Sequence, residues 1–300
     1  MTQTILILGA TGRIGRNGVI AFGRAGWNVR TFDRKHDNLM EKAKGVDVIL
    51  NGWNPAYTDW AKQLPILTEQ VIAAAKVSGA TVMIPGNVYV FGNDAPQNFS
   101  EKTAHAAKNK LGRLRIEMET AFRNAGVQSI ILRAGDFMDT EASGNWFDLI
   151  MTKKLAKGVF TYPGPLHLPH AWAYLPDLLR AFVELAEARK SLAKFEDVPF
   201  PGYTMTGQEL TELVRSATGQ PVKVKQMAWW PIRLISPFWG MGARLVEMSY
   251  LWRKPHHLDG TKFSRLLPEF KSTLLPVAIQ SALSLDINPD QPMVGAKIAV

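Results

Sequence analysis

The stretch Thr4-Ile5-Leu6-Ile7-Leu8-Gly9-Ala10-Thr11-Gly12-Arg13-Ile14-Gly15 constrains this chain more than any other. Ile5 to Leu8 is an unbroken β-favouring apolar run, the pattern of a parallel strand buried on both faces. The glycines follow at once, and an amphipathic segment with Ile14, Val19, Ile20 and Phe22 follows them. Strand, glycine turn and helix therefore come in the order that a phosphate-binding βα unit needs. Gly9 allows the tight turn out of the strand, Gly12 lets the backbone approach a pyrophosphate, and Gly15 lets the helix pack close to the sheet. The helix N-terminus presents unpaired N–H groups and a positive dipole end to the anion. Arg13 adds a charge at the same place, and Thr11 and Ile14 complete the expected cofactor loop.

Asn28 to Phe32 reads as the second strand and ends at Asp33. That is close to the spacing of about 20 residues at which an acid meets the adenosine ribose hydroxyls. Asp33 argues for NAD, because a carboxylate pairs with ribose hydroxyls and repels a 2′-phosphate. Arg34, with Arg30 nearby, argues for NADP, because a guanidinium grips that phosphate bidentately. Both cofactors stay open, with Asp33 tipping the reading toward NAD. Val46 to Leu50 reads as the third strand. Asn51-Gly52-Trp53-Asn54-Pro55 is its turn-rich exit at the carboxyl end, where ligands sit in open α/β sheets. Trp53 either covers the cofactor or fills a gap beneath the loop.

The run Gly9-Ala10-Thr11-Gly12-Arg13-Ile14-Gly15 resembles the GxxGxxG fingerprint of extended and atypical short-chain dehydrogenase/reductases, the NAD-dependent epimerase/dehydratase-like and NmrA-like proteins. Asp47-Val48-Ile49-Leu50-Asn51-Gly52 resembles that family's third strand and the loop beneath the cofactor. Val90-Phe91-Gly92 resembles its V-Y-G, and Ile131-Leu132-Arg133-Ala134-Gly135-Asp136-Phe137 its "LRPG" segment. The resemblance covers about the first 200 residues. It implies that the backbone of Arg133, Ala134 and Gly135 contacts the nicotinamide, with Phe137 facing the substrate or the core. It also admits a homodimer paired through the helix that carries Arg113.

In catalytic members of the family a Ser or Thr polarises a carbonyl and a Tyr-x-x-x-Lys delivers the proton, with Lys lowering the Tyr pKa. Aligning Val90-Phe91-Gly92 on V-Y-G puts Asn87 where the Ser belongs. Aligning Glu117 on the family's helix glutamate puts Asn109 in place of Tyr and Arg113 in place of Lys. No tyrosine occurs between Tyr89 and Tyr162, so no shift of the helix restores the motif. Three explanations stand open. Asn87 donates to a substrate carbonyl while Tyr89 serves as acid; or water, His105 or a lysine supplies the proton; or the pocket binds cofactor without turnover. Arg113 keeps a positive charge near the nicotinamide ribose but cannot donate a proton at neutral pH.

His167 and His170 lie three apart, but a metal needs a third ligand in register and none is visible, so no metal is expected. His170, Trp172 and Trp229 are read as lining the substrate side with Phe137. Gly144 to Ala156 reads as a short helix, His256 to Gly260 as a turn, and the tail after Asp286 as loosely ordered. Thr206 and Glu209 form a capping box at the start of another helix. Between Trp229 and Trp252 aromatic residues crowd together, interrupted by Arg233, Arg244 and Glu247. Core and lid of a substrate domain, a pocket for a flat substrate, and an interfacial amphipathic helix all compete there.

The chain has no cysteine, which removes disulfides, thiolate zinc sites and a Cys nucleophile and fits a reducing cytoplasm. No basic region followed by a long apolar run opens the sequence, so no signal peptide is expected, and no apolar stretch is long enough for a membrane span. The net charge of +9 is scattered without a basic stripe, so a small-molecule substrate and no nucleic acid are expected. The expected fold is α/β: a Rossmann-type doubly wound parallel sheet over 1–150, with 170–200 returning to it. A smaller, mostly helical substrate domain would take 151–169 and 201–300. The expected activity is that of an NAD(P)-dependent oxidoreductase or epimerase-like enzyme acting on a small carbonyl or alcohol. The alternative is a non-catalytic NAD(P)-binding sensor or regulator.

Overall fold

The computed structural model describes residues 2–283. Elements alternate through the first half: β1 (Thr4–Leu8), α1 (Arg13–Arg24), β2 (Asn28–Phe32), α2 (Leu39–Ala43), β3 (Val48–Asn51), α3 (Trp60–Ser78) and β4 (Thr81–Gly86). A short β5 (Asn98–Phe99) precedes α4 (Lys110–Asn124), β6 (Ser129–Arg133) and β7 (Asp136–Met138). The second half runs β8 (Val159–Tyr162), β9 (Pro169–Tyr174), α5 (Leu175–Ala188), β10 (Phe195–Pro199), β11 (Tyr203–Thr206), α6 (Gly207–Thr218) and β12 (Lys223–Gln226). It closes with α7 (Trp229–Ile235), α8 (Gly240–Met248), β13 (His257–Leu258), α9 (Thr261–Leu266) and α10 (Leu275–Ala282).

Six parallel strands form the central sheet in the order β10-β6-β4-β3-β1-β2, a doubly wound α/β arrangement. Its strands bury both faces, which explains their continuous apolar runs. Leu6, Leu8, Ile49, Val82, Ile84 and Ile131 point to the side covered by α3 and α4, meeting Leu64, Val71, Leu111, Met118 and Phe122. Their neighbours Ile5, Ile7, Val48, Leu50, Met83, Ile130 and Leu132 point to the side of α1 and α5, meeting Phe22, Leu178, Leu179 and Phe182. Because the strands are parallel, all six carboxyl ends lie at one edge of the sheet, and the strand order reverses there between β1 and β3, a topological switch point.

A third core unites Phe147, Phe160, Tyr162, Trp172, Met205, Leu210 and Trp252. Around it lie a three-stranded sheet, β11-β9-β7, and the pair β12-β8. The capping box at α6 forms as expected, Thr206 Oγ1 accepting from Glu209 N at 3.1 Å and Glu209 Oε2 accepting from Thr206 N at 2.7 Å. The expected helix over 144–156 is a π-helical turn at Phe147–Met151 and a 3-10 turn at Leu155–Lys157. The expected turn at His256–Gly260 holds β13 instead, which pairs with β5 and so ties the C-terminal third back to the first half. α9 likewise packs its Phe263 into the core of the large sheet. The tail expected to be loosely ordered lies outside the described residues.

Candidate active site

The glycine turn between β1 and α1 is built by backbone contact. Gly9 takes φ +74°, and Gly12 N donates to Gly9 O at 3.0 Å to close the turn. A Cβ on Gly15 would lie 2.1 Å from Gly9 O and 2.6 Å from Ala10 Cα, so only glycine fits where α1 meets the turn. Gly12 caps α1 without a side chain, and among the described residues the N–H groups of Arg13, Ile14 and Gly15 have no acceptor. Three unpaired donors at a helix start, with no Cβ crowding them, suit a diphosphate. Arg13 reaches across to donate to Gly144 O at 2.7 Å. Arg16 and Asn17 hold Asp139 at 2.6 and 3.1 Å, which fastens α1 to the segment after β7.

Beside this turn, beyond β2 and β3, lies a cleft of about 410 Å³ lined by Phe32, Arg34, Asp37, Asn38, Trp53 and Gln70. Arg34 sits 6.0 Å over the Trp53 ring, and Phe32 meets that ring edge-on at 5.7 Å. A flat base and a phosphate fit such a wall of aromatic face and guanidinium. Asp33 is exposed beside it, its Oδ1 accepting from Lys35 N at 2.8 Å. Asn51 is buried and steadies the loop, its Oδ1 accepting from Trp53 N at 3.4 Å, while Gly52 N donates to Leu8 O. These residues fit a dinucleotide.

At the carboxyl end of β4, Asn87 Oδ1 accepts from Tyr89 N at 3.1 Å and so caps the 3-10 turn Val88–Val90. This leaves Asn87 Nδ2 without a protein acceptor among the described residues. The Tyr89 hydroxyl lies 2.7 Å from that of Tyr57, which comes from the loop after β3. Burial raises the pKa of both phenols, and the Asp136 carboxylate raises both further. At neutral pH both are therefore protonated donors. The two tyrosine rings pack with Trp60, whose ring centroid lies 5.0 Å from that of Tyr57 and 6.3 Å from that of Tyr89. Asp136 itself pairs with His170, Oδ2 to Nε2, at 2.7 Å.

Arg113 is exposed on α4. The inward face of α4 carries Leu111, Arg115 and Glu119, one helical turn apart. Arg115 is buried, donates to Pro85 O at 2.7 Å and lies 5.7 Å from the Trp60 ring. Asn109 is the N-cap of α4 and donates to Glu247 Oε1 at 3.1 Å. The Arg133 side chain is fully buried and faces the core, pairing with Glu119 at 2.7 Å and Asp197 at 2.5 Å. It also donates to Asn87 O at 2.5 Å, so it braces the β4 loop from behind. Next along the chain, Ala134 N donates to Gly86 O at 3.2 Å. Gly135 is required by β9, since a Cβ there would lie 2.1 Å from Ala171 O.

Trp172 is core, 1% exposed. His170 is buried too, its ring stacked on Trp252 at 4.2 Å and its Nε2 taken by Asp136. His167 is exposed and shares no ligand set with it. Phe137 is half-buried against the large-sheet core. Trp229 donates its Nε1 to Pro163 O at 2.7 Å, meets Trp146 at 6.0 Å and packs against the third core. His105, Glu119 and Asp197 converge within 4.8 Å, but the Arg133 guanidinium already holds both carboxylates. The sequence reading missed Tyr57, Arg115 and Asp136. Only the position of Tyr57 on a strand-exit loop and the four-residue spacing of Arg115 from Glu119 could have signalled them.

Six parallel strands, the strand reversal and a glycine-cradled helix start define a Rossmann-type α/β fold. In particular, the fold is that of NAD-dependent epimerase/dehydratase and extended short-chain dehydrogenase structures. L-threonine dehydrogenase from Phytophthora infestans superposes with a TM-score of 0.70 at 19% identity, covering 94% of this chain and 98% of that one. UDP-N-acetylglucosamine 4-epimerase from Methanobrevibacter ruminantium, in complex with UDP-N-acetylmuramic acid, gives 0.71 at 12% over 94% and 98%. MoeE5 in complex with UDP-glucose and NAD gives 0.69 at 15% over 93% and 97%. No family model and no curated protein sequence matches the chain. No described helix is long and apolar enough to cross a membrane.

Proposed function

We propose that this chain is an NAD(P)-dependent oxidoreductase of the extended short-chain dehydrogenase type that reduces a small carbonyl substrate. The observation that carries the reading is the Tyr57–Tyr89 hydroxyl pair beside Asn87, at the carboxyl end of β4. Gly9, Gly12 and the α1 N-terminus would hold the diphosphate, and Arg34 and Trp53 the adenosine end. The bound dinucleotide would supply hydride chemistry. Asn87 Nδ2 donates to the substrate oxygen and polarises the carbonyl. As charge develops on that oxygen, Tyr89 Oη gives it a proton, Tyr57 passes its own proton to Tyr89, and the half-buried Tyr57 regains a proton from solvent. Arg115 replaces the lysine of Tyr-x-x-x-Lys as the nearby buried cation, without acting as an acid. Phenols that start protonated suit the reduction direction. The sensor reading rested on the missing Tyr-x-x-x-Lys, and the tyrosine pair supplies a proton donor from another element. Pairing of two copies along the exposed Arg113 face of α4 belongs to the same proposal.

Titrating NAD⁺, NADH, NADP⁺ and NADPH into the protein tests the cofactor site, and binding of none would overturn it. Arg34→Ser is expected to weaken NADPH at least ~10-fold, through one lost charge-assisted contact, while leaving NADH within about twofold. Equal losses for both would remove Arg34 from nucleotide selection. In a screen of aldehydes and ketones, Tyr89→Phe is expected to lower turnover at least ~10-fold with little change in cofactor affinity. An unchanged rate would exclude Tyr89 as the acid.

A further inference from the structure

Ten large apolar side chains are exposed among the described residues, and five of them fall between 230 and 239. Phe238 is 95% exposed, Trp230 70% and Leu234 69%, with Ile235 and Trp239 beside them. α7 buries none of its side chains. The segment is nevertheless held firmly. Trp229 anchors it through Pro163 O and Trp146, and the Trp239 ring lies so close over Gly242 that a Cβ there would come within 2.3 Å. The patch is therefore a fixed, outward-facing apolar ridge, of a kind monomer surfaces rarely carry without a use.

Its charge says what it meets. From Leu213 to Val246 the sequence contains no carboxylate and five cations: Arg215, Lys223, Lys225, Arg233 and Arg244. Arg215 and Arg244 pair with Glu212 and Glu247, which bound the stretch. Lys223, Lys225 and Arg233 are exposed and have no acidic partner among the described residues. A second copy meeting this face across a two-fold axis would set these cations against their own kind, with no acid of the stretch to answer them. An anionic lipid surface answers both features, taking aromatic and aliphatic side chains at headgroup depth and lysines and arginines against its phosphates.

We propose that residues 229–239 dock the protein peripherally on an anionic phospholipid bilayer, with Trp230, Leu234 and Phe238 inserted and Lys223, Lys225 and Arg233 at the headgroups. This goes beyond the oxidoreductase reading and does not rest on it. The test is co-sedimentation of the full chain with phosphatidylcholine vesicles, with and without about one third phosphatidylglycerol. The anionic vesicles should bind at least ~10-fold more protein, with the difference shrinking at high salt. Leu234→Asp with Phe238→Asp, and separately Lys223→Gln with Lys225→Gln and Arg233→Gln, should each lower binding at least ~5-fold. Unchanged melting temperatures would show that both variants fold. Absence of vesicle binding, or binding indifferent to the apolar variant, would overturn the proposal. So would a dimer in light scattering that the apolar variant splits into monomers, since a second copy would then cover the ridge.

Discussion

Replacing Arg133 with leucine should destabilise the protein by about 3–5 kcal/mol in urea unfolding, the cost of leaving buried carboxylates without their partner. Arg133 is fully buried and holds Glu119 and Asp197, which are themselves almost wholly buried. Burial pushes the Asp197 carboxyl up, but the Arg133 charge and hydrogen bonds from His105 and Arg133 more than reverse this and leave it below the ordinary value. A carboxyl whose folded pKa is depressed contributes stability above its unfolded pKa, near 4, and loses it as pH falls toward the folded value. In Arg133→Leu the same burial acts unopposed by the guanidinium, and the protonated acid is the form that folds. The gap between wild type and variant should therefore be widest at neutral pH and narrow on acidification toward pH ~4. A constant gap would mean that the loss is one of packing. Because Arg133 also donates to Asn87 O, Arg133→Lys, which keeps the charge and loses the fork, should lower turnover more than it lowers stability.

Gly15→Ala should weaken the tightest-binding dinucleotide at least ~100-fold, or about 2.7 kcal/mol. The added methyl meets backbone on two sides, at 2.1 Å and 2.6 Å, so α1 must move off the turn and take its unpaired N–H groups with it. The control lies eight residues along the same helix. A Cβ on Gly23 meets nothing within 4 Å, so Gly23→Ala should leave binding alone and stabilise the fold by about 0.5–1 kcal/mol. Equal binding by the Gly15 variant would separate the glycine turn from nucleotide binding and remove the basis of the cofactor proposal.

The sheet was legible because its signals are local. Apolar runs such as Ile5 to Leu8 and the glycines after them need no knowledge of the rest of the chain. The proposed site draws on residues the sequence offered where they adjoin those runs, at the turn, at Asn87 and at Tyr89. On α4 two glutamates stand two residues apart. Two residues turn a helix by about 200°, so aligning on Glu117 picks out the exposed face, with Arg113, and aligning on Glu119 the buried one, with Arg115, and spacing alone does not choose between them. Arg133 was in the matched segment, but its partners Glu119 and Asp197 are distant in sequence and no pattern announces them. His170 and Trp172 alternate with Ala171 and Ala173 along β9, and period two cannot say that both faces of that strand are covered. Tyr57 comes from a loop, where side-chain direction has no period at all.

Two long-range closures shape how this chain can be made. β10, the strand that covers the edge of β6, comes from residues 195–199, and the acceptor for Leu111 N at the start of α4 is Glu247 Oε1, at 2.6 Å. On the ribosome, at ~5–20 residues per second, the nascent first half must wait seconds for both. During that interval it carries an open, apolar strand edge and a helix whose first turn lacks its acceptor. Chains that terminate early should therefore burden chaperones in proportion to how far short of residue 199, and then of residue 247, they stop.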